Sequence, residues 1–300
     1  MKRKLILQGN NSYTVTLPIK WVKEYNLAPG AEIDVDVDDN RVIVQAEMQY
    51  KKSSITLDMK GETESYLRTV ISNAYRIGYD IIEVKFENNS QLKHIRATVK
   101  NNLLGFDLLN EVKNTCMIEN IAEPSGDQFN AIFDKMFIMV SHLFSETEKA
   151  FKKQSDYEHI QEITNKLTEY DNFCRRAISK KRFIEKNSQF YWLLFSYVLH
   201  VGREIFILNK TLKAKNITAT KETFELLKKT AELFSLLQKS YMKRSTKFLD
   251  SIHALEKEII YEYGYKALNK NSKDHILVHH ILSIARNTYL ANSPLCGLLF

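Results

Sequence analysis

Residues 12–45 read SYTVTLPIKWVKEYNLAPGAEIDVDVDDNRVIVQ, and they constrain the fold more than any other stretch. A short strand, Tyr13 to Leu17, runs into Pro18. Proline fits the first helical position, where its missing N–H is not needed, so Pro18 is expected to open a short helix that Pro29-Gly30 closes. Two alternating strands follow, Glu32 to Val37 and Arg41 to Gln45, hinged on Asp38-Asp39-Asn40. The apolar side chains of this unit, among them Val15, Leu17, Trp21, Val35, Val37, Val42 and Val44, are too many to leave in water. They are also too few for a stable monomer of this size, and pairing with a second copy resolves the conflict.

Charge along the same stretch is sorted. Lys2, Arg3, Lys4, Lys20 and Lys23 are the only charges before Glu24, and from Glu24 to Asp39 every charge is acidic. In a small unit this gives one positive and one negative face. A positive face doubled by a two-fold axis suits a phosphate backbone.

Leu17-Pro18, Lys20, Lys23, Leu27, Gly30 and Ile33 stand where the SpoVT/AbrB swapped-hairpin DNA-binding domain has its strand, Pro step, basic helix, Gly turn and closing hairpin. Residues 1–48 resemble that family. The resemblance implies an N-terminal swapped-hairpin β domain that forms a homodimer and binds double-stranded DNA, with Arg3, Lys4 and Lys23 at the backbone. Lys20 joins them on charge alone, and Ser12 and Thr14 are hydroxyls able to donate to phosphates. The chain departs from some relatives in having Tyr13 for a glycine and Thr14 for an arginine, so its sequence readout is expected to differ.

The chain has 300 residues, 44% hydrophobic, with a formal charge of +7, which suggests two or three domains with sizeable cores. No run of eighteen apolar residues is present, so no membrane insertion is expected. Leu5-Ile6-Leu7 is too short for a signal peptide, and the scattered Cys116, Cys174 and Cys296 fit a reducing cytoplasm. Nine glycines and four prolines favour long helices over loops.

Residues 54–123 read as a small α/β domain: strand Ser54–Met59, helix Glu62–Ile77 ending at Gly78, strand Ile81–Phe86, helix Gln91–Leu104 stopped at Gly105, and a pair, Phe106–Val112 and Thr115–Ala122, around Lys113-Asn114. No Gly-rich loop follows a strand, so there is no nucleotide fingerprint. The segment reads as a spacer or dimer-stabilising module, with a ligand pocket as the alternative. Pro124-Ser125-Gly126 links it to the C-terminal half.

From Asp127 the spacing is helical to the end, in six segments near 127–153, 156–182, 187–213, 219–241, 243–267 and 272–292. Phe129, Ile132, Phe133, Met136, Phe137, Val140 and Leu143 make one apolar stripe. Val198-Leu199-His200-Val201-Gly202-Arg203 is echoed by Ile281-Leu282-Ser283-Ile284-Ala285-Arg286, each in the third helix of its set. Two three-helix repeats, 127–213 and 219–300, resemble the PhoU family. Glu162 to Arg176 is similar to a second helix of such repeats, and Tyr289-Leu290-Ala291-Asn292-Ser293-Pro294-Leu295 resembles archaeal members. The whole arrangement is similar to archaeal phosphate-uptake regulators. The expected fold class is therefore α+β multidomain: a swapped-hairpin β head, a small α/β middle and an all-α tail of tandem three-helix bundles.

Many PhoU-type repeats carry Glu and Asp four residues apart, on one helix face, to hold a metal. Here those positions are Leu199 and Arg203, and Leu282 and Arg286, which offer a cation nothing, so no metal and no cofactor is expected there. Arg203 and Arg286 either pair with nearby carboxylates, such as Glu169 or Asp171 for the first, or form an anion site. His275 and His279 share helix spacing but lack a third ligand. Arg175-Arg176 with Lys180-Lys181-Arg182 reads foremost as a solvated basic face, otherwise as a partner surface or second DNA contact. From residue 149 onward 26 Lys and Arg face 15 Asp and Glu, so the helical half is not acidic. No Ser/His/Asp or Cys/His set has a motif context, so the chain is not expected to be an enzyme.

The expected function is DNA-binding transcriptional regulation, of phosphate uptake or a related ion response, with the helical tail sensing a ligand or partner. In the alternative the chain is an adaptor for a transporter or sensor kinase and the head only dimerises. Contacts between tails would raise the dimer to a tetramer.

Overall fold

The structure, a computed structural model, describes residues 2–9, 12–38, 40–46, 52–122, 124–125, 128–154, 156–180, 187–269 and 274–300. Two units are present, Met1–Lys52 and Ser53–Phe300. In the first, β1 (Ile6–Gln8) pairs antiparallel with β2 (Ser12–Thr14). The strand expected at Tyr13 to Leu17 stops at Thr14, because β1 supplies only three residues to pair with. Pro18 sits one position before the helix, extended at ψ 124°, and α1 runs Ile19–Glu24. Chain reversal after α1 uses Asn26 at φ 50°. The hairpin β3 (Ile33–Asp38) and β4 (Arg41–Ala46) closes the unit with six register pairs.

The second unit begins with the βαβαββ module in the expected order. Its elements are β5 (Ser54–Asp58), α2 (Glu64–Ile77), β6 (Ile81–Lys85), α3 (Asn89–Asn102), β7 (Phe106–Val112) and β8 (Thr115–Asn120). The sheet order is β5-β6-β8-β7, with β5 and β6 parallel across the α2 crossover and the rest antiparallel. Gly78 ends α2 at φ 118°, and Lys113 and Asn114 turn the last hairpin at φ 44° and 60°. Ile82, Val84, Cys116 and Ile118 pack beneath Leu67, Ile71, Tyr75, Ile95 and Val99.

The helical part continues with α4 (Phe129–Phe151), α5 (Tyr157–Ser179), α6 (Ser188–Lys215) and α7 (Lys221–Met242). The segment expected as one fifth helix is α8 (Leu249–Lys257), a π-helical stretch (Glu258–Gly264) and α9 (Tyr265–Leu268). After α10 (His275–Leu290) a further helix, α11 (Asn292–Leu298), was not expected; Pro294 falls in its first turn, where proline is tolerated. One hydrophobic core runs through both three-helix sets, and α6 packs along α10. Phe137 of α4 stacks on Tyr241 of α7 with ring centroids 4.7 Å apart, which ties the sets together. By length and composition α6 is apolar enough to cross a membrane, but here it packs against α4, α5, α10 and α11. The α/β module joins this body through α2 and α3, both packed on α5.

Candidate nucleic-acid interface

Arg3 and Lys4 lie ahead of β1, and Lys20 and Lys23 are three apart on α1, hence neighbours on its surface. All four are exposed, and among the described residues none of them is held in an ion pair. Their charge is therefore available to solvent. The hydroxyls behave differently. Ser12 Oγ donates to the Gln8 carbonyl at 2.9 Å and Thr14 Oγ1 to the Ile6 carbonyl at 3.4 Å. In this hairpin their protons close β1 onto β2, and both side chains remain exposed.

Among the described residues of this unit, none is buried. Register sets Ile33 opposite Ala46, Val35 opposite Val44 and Val37 opposite Val42, and directly opposed residues share a sheet face. That face is apolar along its length, yet Val37 is 77% and Val42 65% exposed. Leu5, Ile6, Leu7 and Tyr13 stand equally open around β1 and β2. Leu17, Trp21, Val22, Leu27, Ile33, Ile43, Val44 and Ala46 are half-buried and make up what interior there is among the described residues, so the open end of the hairpin face is Val35, Val37 and Val42.

The basic residues singled out in the helical part do not join this surface chemistry. Arg176, expected on a solvated face, is wholly buried. It donates to the backbone carbonyls of Tyr75 and Tyr79 at 2.9 and 2.8 Å and to Asp80 Oδ1 at 2.6 Å, and its guanidinium lies over the rings of Tyr75 and Phe106. Lys180 Nζ reaches the same Asp80 oxygen at 2.5 Å. These contacts fix α5 to the α/β module. Arg175 makes two hydrogen bonds to Asp171, at 2.9 and 2.8 Å, and Lys181 and Arg182 lie outside the described residues.

Arg203 and Arg286 part company. Arg286 Nη1 sits 2.6 Å from Glu256 Oε1, a carboxylate buried on α8. Arg203 does not pair with Glu169 or Asp171, because Lys166 takes the first and Arg175 and Arg76 crowd the second. Leu199 is buried in the core, and Leu282 packs against it. Sequence reasoning passed over one group with metal-ligand geometry, His142, Glu146 and His159, whose ligand atoms lie within 4.8 Å of one another. The i,i+4 spacing of His142 and Glu146 was visible, but His159 comes from the next helix. Lys149 Nζ, 2.7 Å from Glu146 Oε1, already neutralises that carboxylate and, with the histidines nearby, holds its pKa below the usual value. His279 meets the ring of His280 edge to face, and His280 bonds Glu204 at 2.7 Å instead of a metal partner on its own helix.

Residues 6–54 match the family described as antidote-toxin recognition MazE, bacterial antitoxin. No curated protein and no solved structure matches the chain. The match falls on the unit with the exposed apolar hairpin and the free basic residues. A MazE/AbrB-like domain there is consistent with a swapped-hairpin DNA-binding domain, and it points to a DNA-binding or antitoxin-type regulator.

Proposed function

We propose that the protein is a homodimeric, DNA-binding transcriptional regulator whose two N-terminal units interlock and present Arg3, Lys4, Lys20 and Lys23 of both copies to one duplex. The observation that carries this reading is the apolar face of β3 and β4, whose turn-side residues Val35, Val37 and Val42 one copy leaves wet and a second copy would cover. Covering it removes apolar area from water, the dominant favourable term in association. The basic residues need no such burial, since phosphate contacts work from an exposed surface.

The helical part would then be the sensor. Its six main helical segments, with α6 and α10 as third members of two sets, support the resemblance to PhoU-type repeats, and we propose phosphate supply or a related ion response as the controlled process. The test of DNA binding is a gel shift over a salt series. With six to eight phosphate contacts, affinity should fall by roughly 10³ or more between 50 and 200 mM salt. Replacing Arg3, Lys4 and Lys23 by alanine should weaken binding at every sequence and flatten that slope. A full-length dimer that ignores duplex at low salt would end this reading.

A further inference from the structure

The notable unassigned feature of Ser53–Phe300 is a cleft of about 550 Å³ between α2, α5 and α6. Arg68, Arg76 and Arg203 line it, and no carboxylate does so among its described lining residues. Asn165 adds an amide, and Phe206 and Ile207 form an apolar wall. We propose that this cleft binds a small phosphorylated organic molecule, its phosphates on Arg76 and Arg203 and its organic body against Phe206 and Ile207.

Charge is the first argument. Asp171 is a wholly buried carboxylate facing a crowd of guanidinium groups: Arg175 bonds it twice, and Arg76 Nη2 stands 3.6 Å away. Arg203 sits in the same field with no hydrogen bond or ion pair among the described residues. Three arginines thus share one acid. Among the described residues Arg68 is balanced only by Glu64, 3.8 Å away and exposed. Arginine does not shed its proton to relieve such crowding. Burial first, then the neighbouring guanidinium groups, work against the charged form of both Arg76 and Arg203, while Asp171 favours it. An incoming anion would remove the imbalance.

Geometry is the second argument. Arg76 is positioned: its Nε–H donates to Asn172 Oδ1 at 2.7 Å, and Asn172 in turn donates to the Asn102 carbonyl at 2.8 Å. Its fork is fixed before any ligand arrives, the arrangement that favours bidentate phosphate recognition. Arg203 comes from another helix and keeps all its donors. Size is the third argument. The volume is in the range for drug-sized ligands and far above a bare phosphate ion, and the apolar wall has no use for one. The proposal does not depend on whether the N-terminal units bind DNA.

The experiment is calorimetric titration of the full-length protein with ADP, pyrophosphate and inorganic phosphate, and with a short duplex oligonucleotide as a separate arm. ADP should bind saturably and more tightly than pyrophosphate, with inorganic phosphate weakest. Arg203→Ala should weaken ADP by roughly tenfold or more. Arg203→Lys keeps the charge and loses the fork, so it should fall between the two and tests the site should the alanine variant not fold. Ile207→Glu should abolish ADP binding by adding a carboxylate to the cleft. Absence of saturable binding by all three small molecules, equal ADP affinity in the Arg203 variants, or binding by the duplex alone at this cleft would overturn the proposal. A negative gel shift with positive ADP titration would sink only the DNA reading, and the reverse only this one.

Discussion

The two units of this chain solve the problem of apolar surface in opposite ways. Ser53–Phe300 holds two hydrophobic cores, one under the α/β sheet and one through the helices, with Phe133, Phe137, Leu167 and Ile281 wholly out of solvent. Met1–Lys52 has as regular an alternation of apolar residues in β3 and β4 and buries none of its described residues. The contrast teaches that patterning and burial are separate properties. A strand pair with one apolar face folds only against a second layer. The larger unit carries its own second layer, α2 and α3 over the sheet; among the described residues of its own unit the hairpin is only partly covered, with Val35, Val37 and Val42 left exposed.

The largest expected effect attacks that asymmetry. Val37 is 77% exposed in the single chain, where an aspartate would cost next to nothing. Against a second copy the same aspartate is a charge taken out of water, at about 3 kcal/mol or more per copy, taken twice. Val37→Asp should therefore abolish the dimer, read as molar mass by light scattering, and leave the thermal unfolding of residues 53–300 unchanged. An intact dimer would mean that some other surface joins the copies and that the hairpin face stays wet.

A second prediction tests the self-sufficiency of the larger unit. Asp80 accepts from Arg176, from Lys180 and, through its other oxygen, from the backbone N–H of Ser53 at 3.0 Å. Asp80→Asn preserves the shape and removes the negative charge that faces a guanidinium 0% exposed. Breaking one side of a buried pair costs about 3–5 kcal/mol. The urea midpoint should fall accordingly and should not depend on protein concentration, since no second copy is involved. Adding Arg176→Met, which removes the buried positive charge, should recover part of the loss.

How far these features were legible depends on the distance over which each interaction acts. The α/β module was readable because its signals are local: Gly78 as a left-handed cap, the Lys113-Asn114 turn, alternation in Ile81–Lys85. The apolar hairpin and the sorted charge of residues 1–39 were readable for the same reason. Arg176 was misread because its partner, Asp80, lies 96 residues earlier in the chain. Nothing within a helical turn separates a lysine-rich helix end that is solvated from one that is sealed. The partners of Arg203 failed likewise: Lys166 and Arg175, closer on their own helix, reached Glu169 and Asp171 first. Arg68 and Arg76, which turn Arg203 into part of a cleft, come from the other side of a linker. The π-helical stretch left no mark, since its apolar spacing is hard to tell from an α-helix over two turns.

The smallest effect concerns the echo between the third helices. Gly202 of α6 and Ala285 of α10 occupy matching positions, and both are buried. A methyl group on Gly202 would lie 2.2 Å from Leu167 Cδ2, with Leu143 and Val140 at 3.5 and 3.6 Å. Alanine in a helix interior is better than glycine by about 0.5–1 kcal/mol, because less backbone freedom is lost on folding. Overpacking costs about 1–3 kcal/mol when the neighbour must leave its rotamer, and Leu167 is a side-chain tip in a filled core. The clash should win, so Gly202→Ala should lower the stability of the larger unit by about 1–2 kcal/mol, read as a drop in urea midpoint. Ala285→Gly should also destabilise, through lost propensity and a small void. If instead Gly202→Ala stabilised the protein, Leu167 would have room to move, and the close approach of α5 to α6 that frames the arginine cleft would be looser than the packing in the rest of this core.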